Sequence, residues 1–376
     1  WFAGSDDRSN LTFDVYFDTN SNPTTLVADD ITSLNYSPSN LAINTTYYWK
    51  VVATDPSGSK TSSVMNFTYM GPMWSYETDA DVLSVAVSAD GEYIAVGSKD
   101  DKVYLFEKDS NTPLWSYTTG GDVNVVSISE DGDYIVAGND EVSGSGTLYL
   151  FGKDSSTPLW MYYLGDILAV DISANGEYIV AGTEEENVYV FDKDSSTPLW
   201  YHHSGGEVHT VSISADGKYI VSGNTDDKIY LFDRDSSTPV WSYSTTNGDV
   251  VSVDISADGE YIVAGSGNDN IYLFDKDSST PLWSYTSDGT VLAVAISADG
   301  EYIVAGDNQG DVYLFDKDSS TPLWNDDIGQ SISDVDISAD GEYITASSAN
   351  DNVYLFGKDS STPLWSYSTG HDATSI

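Results

Sequence analysis

A stretch of about forty residues recurs seven times in this chain, and no other feature constrains the fold as strongly. Its cleanest copy, Ser256 to Trp283, reads SADGEYIVAGSGNDNIYLFDKDSSTPLW. Equivalent turns stand at Asp90-Gly91, Asp131-Gly132, Asn175-Gly176, Asp216-Gly217, Asp299-Gly300 and Asp340-Gly341. Tryptophans close the copies at 74, 115, 160, 200, 241, 283, 324 and 365, so the spacings are 41, 45, 40, 41, 42, 41 and 41. A fixed period of this size marks a repeat architecture, in which each copy buries its apolar face against its neighbours.

Within one copy, Val251, Val253 and Ile255 alternate with polar residues and predict a first strand, a. Ala257-Asp258-Gly259 turns the chain, with glycine where a positive φ is needed. Tyr261–Ala264 is a continuous apolar run, as in a strand covered on both faces, and predicts strand b. Ile271–Phe274 predicts strand c, and Pro281–Tyr285 an outer strand d, where proline is tolerated at an edge. Four short strands per period with no helix signal is the blade pattern of a β-propeller. Seven a-b-c units predict seven blades over residues 72–376, whereas strand d occurs eight times. One terminal copy of d is expected to close the ring and the other to be spare.

Residues 1–71 have a different texture. Leu11–Phe17, Thr25–Val27, Thr45–Thr54 and Ser62–Tyr69 alternate apolar and polar residues between Asn, Asp, Pro, Gly and Ser clusters, which predicts a half-buried antiparallel sandwich. Met70-Gly71-Pro72 is the expected hinge. The segments WFAGSDDRSNLTFDVYF and NTTYYWKVVATD, with a last strand ending NFTY, resemble a fibronectin type III-like module. That resemblance places Trp1 in the second strand of the module, so the sandwich is incomplete at its N-terminus, and its open edge invites strand addition from elsewhere in the polypeptide or from another chain. In the larger part, SADGEYIVAG followed by a strand ending Phe-Asp resembles a WD repeat, with Phe in place of the namesake Trp. The tail VYLFDKDSSTPLWSY resembles the repeat of pyrroloquinoline-quinone-type propellers. The chain lacks cysteine, so the vicinal cysteine pair usual in the quinone enzymes cannot form, and no cofactor residue carries over.

Sixty acidic against 14 basic residues give a net charge of −46. Such a surface argues against nucleic acid and anionic membrane partners, since both need basic patches. It suits solubility in salt, where screening relieves self-repulsion. No run reaches the length of a membrane-spanning helix. Four Asn-x-Ser/Thr sequons, at Asn10, Asn35, Asn44 and Asn66, are confined to the leading module and predict a glycosylated, extracellular or cell-surface protein.

Three places depart from bland repetition or invite chemistry. His202, His203 and His209 replace repeat residues in Tyr201–His209, near Glu184-Glu185-Glu186, and imidazoles with carboxylates suit zinc or copper. Adjacent histidines on a strand nevertheless point to opposite faces. Asp-x-Asp pairs recur at Asp192/Asp194, Asp233/Asp235, Asp275/Asp277 and Asp316/Asp318, with Asp109, Asp154 and Asp359 in degenerate copies. This spacing begins a calcium loop, although the downstream Gly and bidentate Glu are missing. Asn139–Gly146 lengthens one b-to-c loop, where partners often bind. No nucleophile elbow accompanies the serines, and carboxylates are too common for a pair to stand out.

The sequence therefore predicts a non-enzymatic, cofactor-free surface protein: an immunoglobulin/fibronectin-like sandwich followed by a seven-bladed propeller. Its partners are other copies or surface proteins, assembled into a filament or layer by strand addition. A polysaccharide-active propeller enzyme and a divalent-cation-binding module are the alternatives.

Overall fold

A computed structural model describes residues 11–33, 36, 38, 41–42, 45–56, 58–69, 73–140 and 146–376. It divides into two compact units, Trp1–Ser75 and Tyr76–Ile376, a boundary four residues beyond the expected one. All regular elements among the described residues are strands, and no helix is long and apolar enough to cross a membrane.

In the first unit the described residues make one five-stranded antiparallel sheet rather than two facing sheets. β1 (Thr12–Asp18) lies between β2 (Leu26–Ile31) and β3 (Thr45–Asp55). The other edge of β3 is shared by β4 (Gly58–Thr61) and β5 (Met65–Tyr69). Phe13, Val15 and Val51 form its buried centre, as the period-2 pattern of LTFDVYF requires. The expected second-strand position of Trp1 and the Met70–Pro72 hinge lie outside the described residues.

The second unit holds seven four-stranded antiparallel sheets, each in the order a-b-c-d, the arrangement of a β-propeller: sheet 1 (82–118), sheet 2 (123–163), sheet 3 (167–203), sheet 4 (208–244), sheet 5 (250–286), sheet 6 (291–327) and sheet 7 (332–368). The sheet numbered 5 here shows why. Val250–Ile255, Tyr261–Ser266, Asn270–Asp275 and Trp283–Thr286 follow the predicted strands to within two residues. Gly259 sits at φ 72° in the a–b turn, a conformation L side chains rarely adopt. Gly265 on strand b lets the next sheet approach, since a Cβ there would lie 2.5 Å from Val291 Cγ1. Ser256 and Asp258 tie the turn: the serine hydroxyl donates to Asp258 (2.7 Å) and accepts from the Tyr261 amide (3.0 Å).

Six of the seven sheets are joined to their successor by the same bonds. Trp283 Nε1 donates to the Lys317 carbonyl of sheet 6 at 2.8 Å, and Trp115, Trp160, Trp200, Trp241 and Trp324 each donate to the equivalent carbonyl of the sheet that follows. Phe274, fully buried, meets Trp241 and Tyr243 of sheet 4 at ring distances of 5.3 and 5.1 Å. The C-terminal copy of strand d, within Ser360–Ser368, completes sheet 7. The copy at 74–76 carries no strand assignment.

Candidate interaction site

Among the described residues the histidines do not converge. His202 takes the place of a repeat tyrosine: its ring packs on Tyr230 and Phe232, and Nδ1 lies 3.0 Å from the Ser237 carbonyl. Burial holds its imidazole below the usual pKa. His203 points the other way and pairs with Glu186 at 3.4 Å, while His209 pairs with Glu207 at 3.2 Å. Opposite faces of one strand separate the first two, as the period of a strand dictates.

The Asp-x-Asp loops are occupied with their own backbone. The Asp192, Asp233, Asp275 and Asp316 carboxylates accept the amides of Asp194, Asp235, Asp277 and Asp318 at 2.8–3.0 Å. The intervening cation turns aside: Lys276 pairs with Glu260 and Asp277, Lys193 with Glu177 and Asp194. A carboxylate that caps its own loop in this way is a turn former. The carboxylates that do come together among the described residues are Asp14, Asp29 and Asp30 in the first unit, with one oxygen of each within 4.8 Å of the others. Burial and the neighbouring Asp14 and Asp30 charges raise the Asp29 pKa. Sequence reading missed this group because its members come from two strands whose pairing only the fold reveals.

Of the sequons, Asn66 is exposed on β5, and Asn10, Asn35 and Asn44 lie outside the described residues, as does 141–145 of the long loop. The stem of that loop is closed by the Thr147 amide donating to Asn139 Oδ1 at 2.7 Å.

The inner strands are less alike than the outer motif. At their fifth position stand Ala86, Ser127, Asp171, Ser212, Asp254, Ala295 and Asp336. Ser127 donates to Asp171 at 3.1 Å and Ser212 to Asp254 at 2.9 Å. Asp171 and Asp254 also accept the amides of Ile213 and Ile296 in the next sheet, at 2.9 and 3.0 Å. Burial pushes the Asp171 carboxyl up to about 6 and that of Asp254 to about 7, against the lowering effect of these bonds. Their oxygens are used to tie sheet to sheet, so they serve as structural acceptors rather than as a free acid–base pair.

The outer strands carry the clearest local anomaly. In sheets 1, 4, 5, 6 and 7 the residue after the closing tryptophan is Ser116, Ser242, Ser284, Asn325 or Ser366. In sheets 2 and 3 it is Met161 and Tyr201, exposed by 49% and 60%. Tyr163, two residues on from Met161, is 66% exposed. Leu159 and Leu199, just before these tryptophans, are exposed as well, but so is the Leu or Val at that position in every other sheet. The large side chains Met161, Tyr163 and Tyr201, turned to water where the equivalent residues of the other sheets are polar, are what an interface presents. The signal was in the sequence, as a break in the Trp-Ser-Tyr pattern, but only exposure distinguishes it from core.

Comparison with known families finds the model described as outer membrane protein assembly factor BamB matching residues 144–367, more than half of the chain. The WD domain, G-beta repeat, matches residues 71–107. No curated protein matches the chain.

Proposed function

This chain belongs to the family described as outer membrane protein assembly factor BamB, and from that premise we propose that it is a non-enzymatic interaction platform of the cell surface. In this reading the seven sheets are the blades of a rigid propeller, and the leading unit is a fibronectin type III-like module. The observation that carries the reading is the exposed set Met161, Tyr163 and Tyr201 on the outer strands of sheets 2 and 3. Tyrosine and methionine are favoured at interfaces because they bury much area and adapt to a partner's shape. The sequon at exposed Asn66 supports an extracellular setting.

The partner that fits best is another copy of the protein. A net charge of −46 opposes self-association at low salt, and screening removes that barrier, because the Debye length falls from about 10 Å at 0.1 M to about 3 Å at 1 M. Sedimentation velocity on the full chain is expected to show mass growing with protein concentration at 1 M salt. The variant Met161→Ser, Tyr163→Ser, Tyr201→Ser is expected to stay monomeric there while melting like the parent. A parent chain that remains monomeric across salt and concentration would exclude this reading.

A further inference from the structure

Six of the seven sheets grip their successor by identical contacts, and the junction between sheet 7 and sheet 1 lacks them. The first tyrosine of strand b packs on the turn glycine of the next sheet: Tyr93 on Gly132, Tyr134 on Gly176, Tyr178 on Gly217, Tyr219 on Gly259, Tyr261 on Gly300 and Tyr302 on Gly341. Each pair is so close that a Cβ on the glycine would lie 2.3–2.7 Å from the ring. A closed ring of seven would set Tyr343 of sheet 7 on Gly91 of sheet 1. Instead Tyr343 is 53% exposed, and no atom of the described residues lies within 4 Å of where a Gly91 Cβ would be. Val87, whose counterparts Ile128 to Ile337 are at most 8% exposed, is 56% exposed. The turn-to-turn bonds running from Ala89–Glu130 through Ala298–Ala339 likewise do not continue from Ala339 back to residue 89.

Two segments flank this junction in the positions of a further repeat. Between inner strands, a side chain at the third position accepts the amide at the fourth position of the next sheet: Ser84 from Val126, Thr210 from Val253, Ser252 from Val294. Asp334 of sheet 7 accepts in the same way from Ile376, at 3.0 Å. Ser375 in turn accepts from Val85 of sheet 1, at 3.4 Å. The tail at 373–376 thus stands between sheets 7 and 1 as the first four residues of another strand a. On the outside, Tyr76 packs on Tyr104 and Phe106 at 5.6 and 5.1 Å, as Tyr117 packs on Tyr149 and Phe151 at 5.6 and 5.3 Å. Tyr76 therefore occupies the place of a preceding sheet's strand d. Between the tail and sheets 7 and 1 opens a cleft of about 720 Å³, lined by Val82, Leu83, Val85, Val353 and Thr374 among others.

We propose that this cleft is the slot of an eighth blade, filled by a b–c hairpin of this chain's own repeat type that continues from the tail. The places of an inner and an outer strand are already taken by the tail and Tyr76, and the pair missing between them is b and c. Register favours this occupant: 373–376 hold the first four positions of a strand a, and in each of the seven sheets strand a leads through its turn into a b–c hairpin. A second copy is a poor donor, because each b–c hairpin of the described chain already sits inside one of the seven sheets. The turn glycine of the incoming hairpin would receive Tyr343, and its strand b tyrosine would cover Gly91.

The test extends the full chain after Ile376 with a copy of residues 295–317, against a Gly/Ser extension of equal length. The repeat extension is expected to raise the melting temperature and to slow amide exchange across Val82–Val87 by about tenfold or more, because a closed unit opens less often. Tyr343→Ala is expected to reverse much of that gain in the extended chain and to change nothing in the unextended one, whereas Tyr302→Ala lowers the melting temperature of both. Equal behaviour of the repeat and Gly/Ser extensions would overturn the proposal. So would an unextended chain that dimerises with Val82–Val87 protected, since a second copy would then fill the slot. Both readouts are independent of the outer-strand association proposed above.

Discussion

Phe274→Ala is expected to remove about 3–5 kcal/mol of stability, the usual cost of truncating a fully buried phenylalanine. Phe274 is completely buried and contacts the rings of Trp241 and Tyr243 from the sheet before it. The ring therefore belongs to the junction between sheets 4 and 5 as much as to its own strand, and it packs with Val221, Ile229, Leu231, Ile255 and Ile262. Stacked repeats are stabilised by nearest-neighbour interfaces, so the damage should be local. Denaturant melts should report the loss. Hydrogen exchange should place it at strands 228–233, 250–255 and 270–275, leaving 123–152 nearly unchanged. Val87→Ala is the contrasting variant: its residue has the same repeat position as buried Ile255, yet it is more than half exposed, so a change within about 0.5 kcal/mol is expected. A uniform loss of protection through all seven sheets would show that the propeller melts as one body and would refute the local account.

The repeat made strands b and c legible because their alternation and apolar runs are set by burial on both faces, which every copy shares. Tyr261–Ala264 and Ile271–Phe274 were read within two residues of the observed strands for that reason. The Ala-Asp-Gly turns were legible because a positive φ leaves glycine little competition. Function was harder to read, since it depends on what the fold exposes. Met161 and Tyr201 look like ordinary apolar members of a strand until their outward direction is known. Asp171 and Asp254 look like two of sixty acidic residues until their oxygens are seen to accept amides from neighbouring sheets. The tail Asp372-Ala373-Thr374-Ser375-Ile376 shares the Asp-x-x-Ser spacing of Asp81–Val85 and Asp249–Val253, and hydrogen bonds to Asp334, Val85 and Val82 set it in the inner-strand register. Trp1, the sandwich start and the long-loop tip fall outside the described residues.

Stability is expected to fall as pH rises from about 4 to 8, and Asp254→Asn is expected to flatten that fall. Burial raises Asp254 from 3.8 to about 7, with Asp171 and Asp334 each raised to about 6. An unfolded chain releases these protons near pH 4. Between there and pH 7 the folded protein holds more protons than the unfolded one, so stability declines with pH through this window and levels off above it. The shift at Asp254 corresponds to on the order of 2–4 kcal/mol. General charge repulsion from a net charge of −46 acts in the same direction, so the melts belong in 1 M salt, where it is screened. Asparagine removes the titration but offers one acceptor oxygen where aspartate offers two. The amides of Ile255 and Ile296 and the Ser212 hydroxyl now share two. An unmet buried donor costs about 1–3 kcal/mol. The variant should therefore be weaker than the parent at pH 5, and should equal or exceed it at pH 8. Parallel curves for parent and variant would show that Asp254 is ionised throughout and that the inner rim is wetter than its burial implies. Crossing curves would show a rim that holds its sheets together most firmly with this carboxyl protonated.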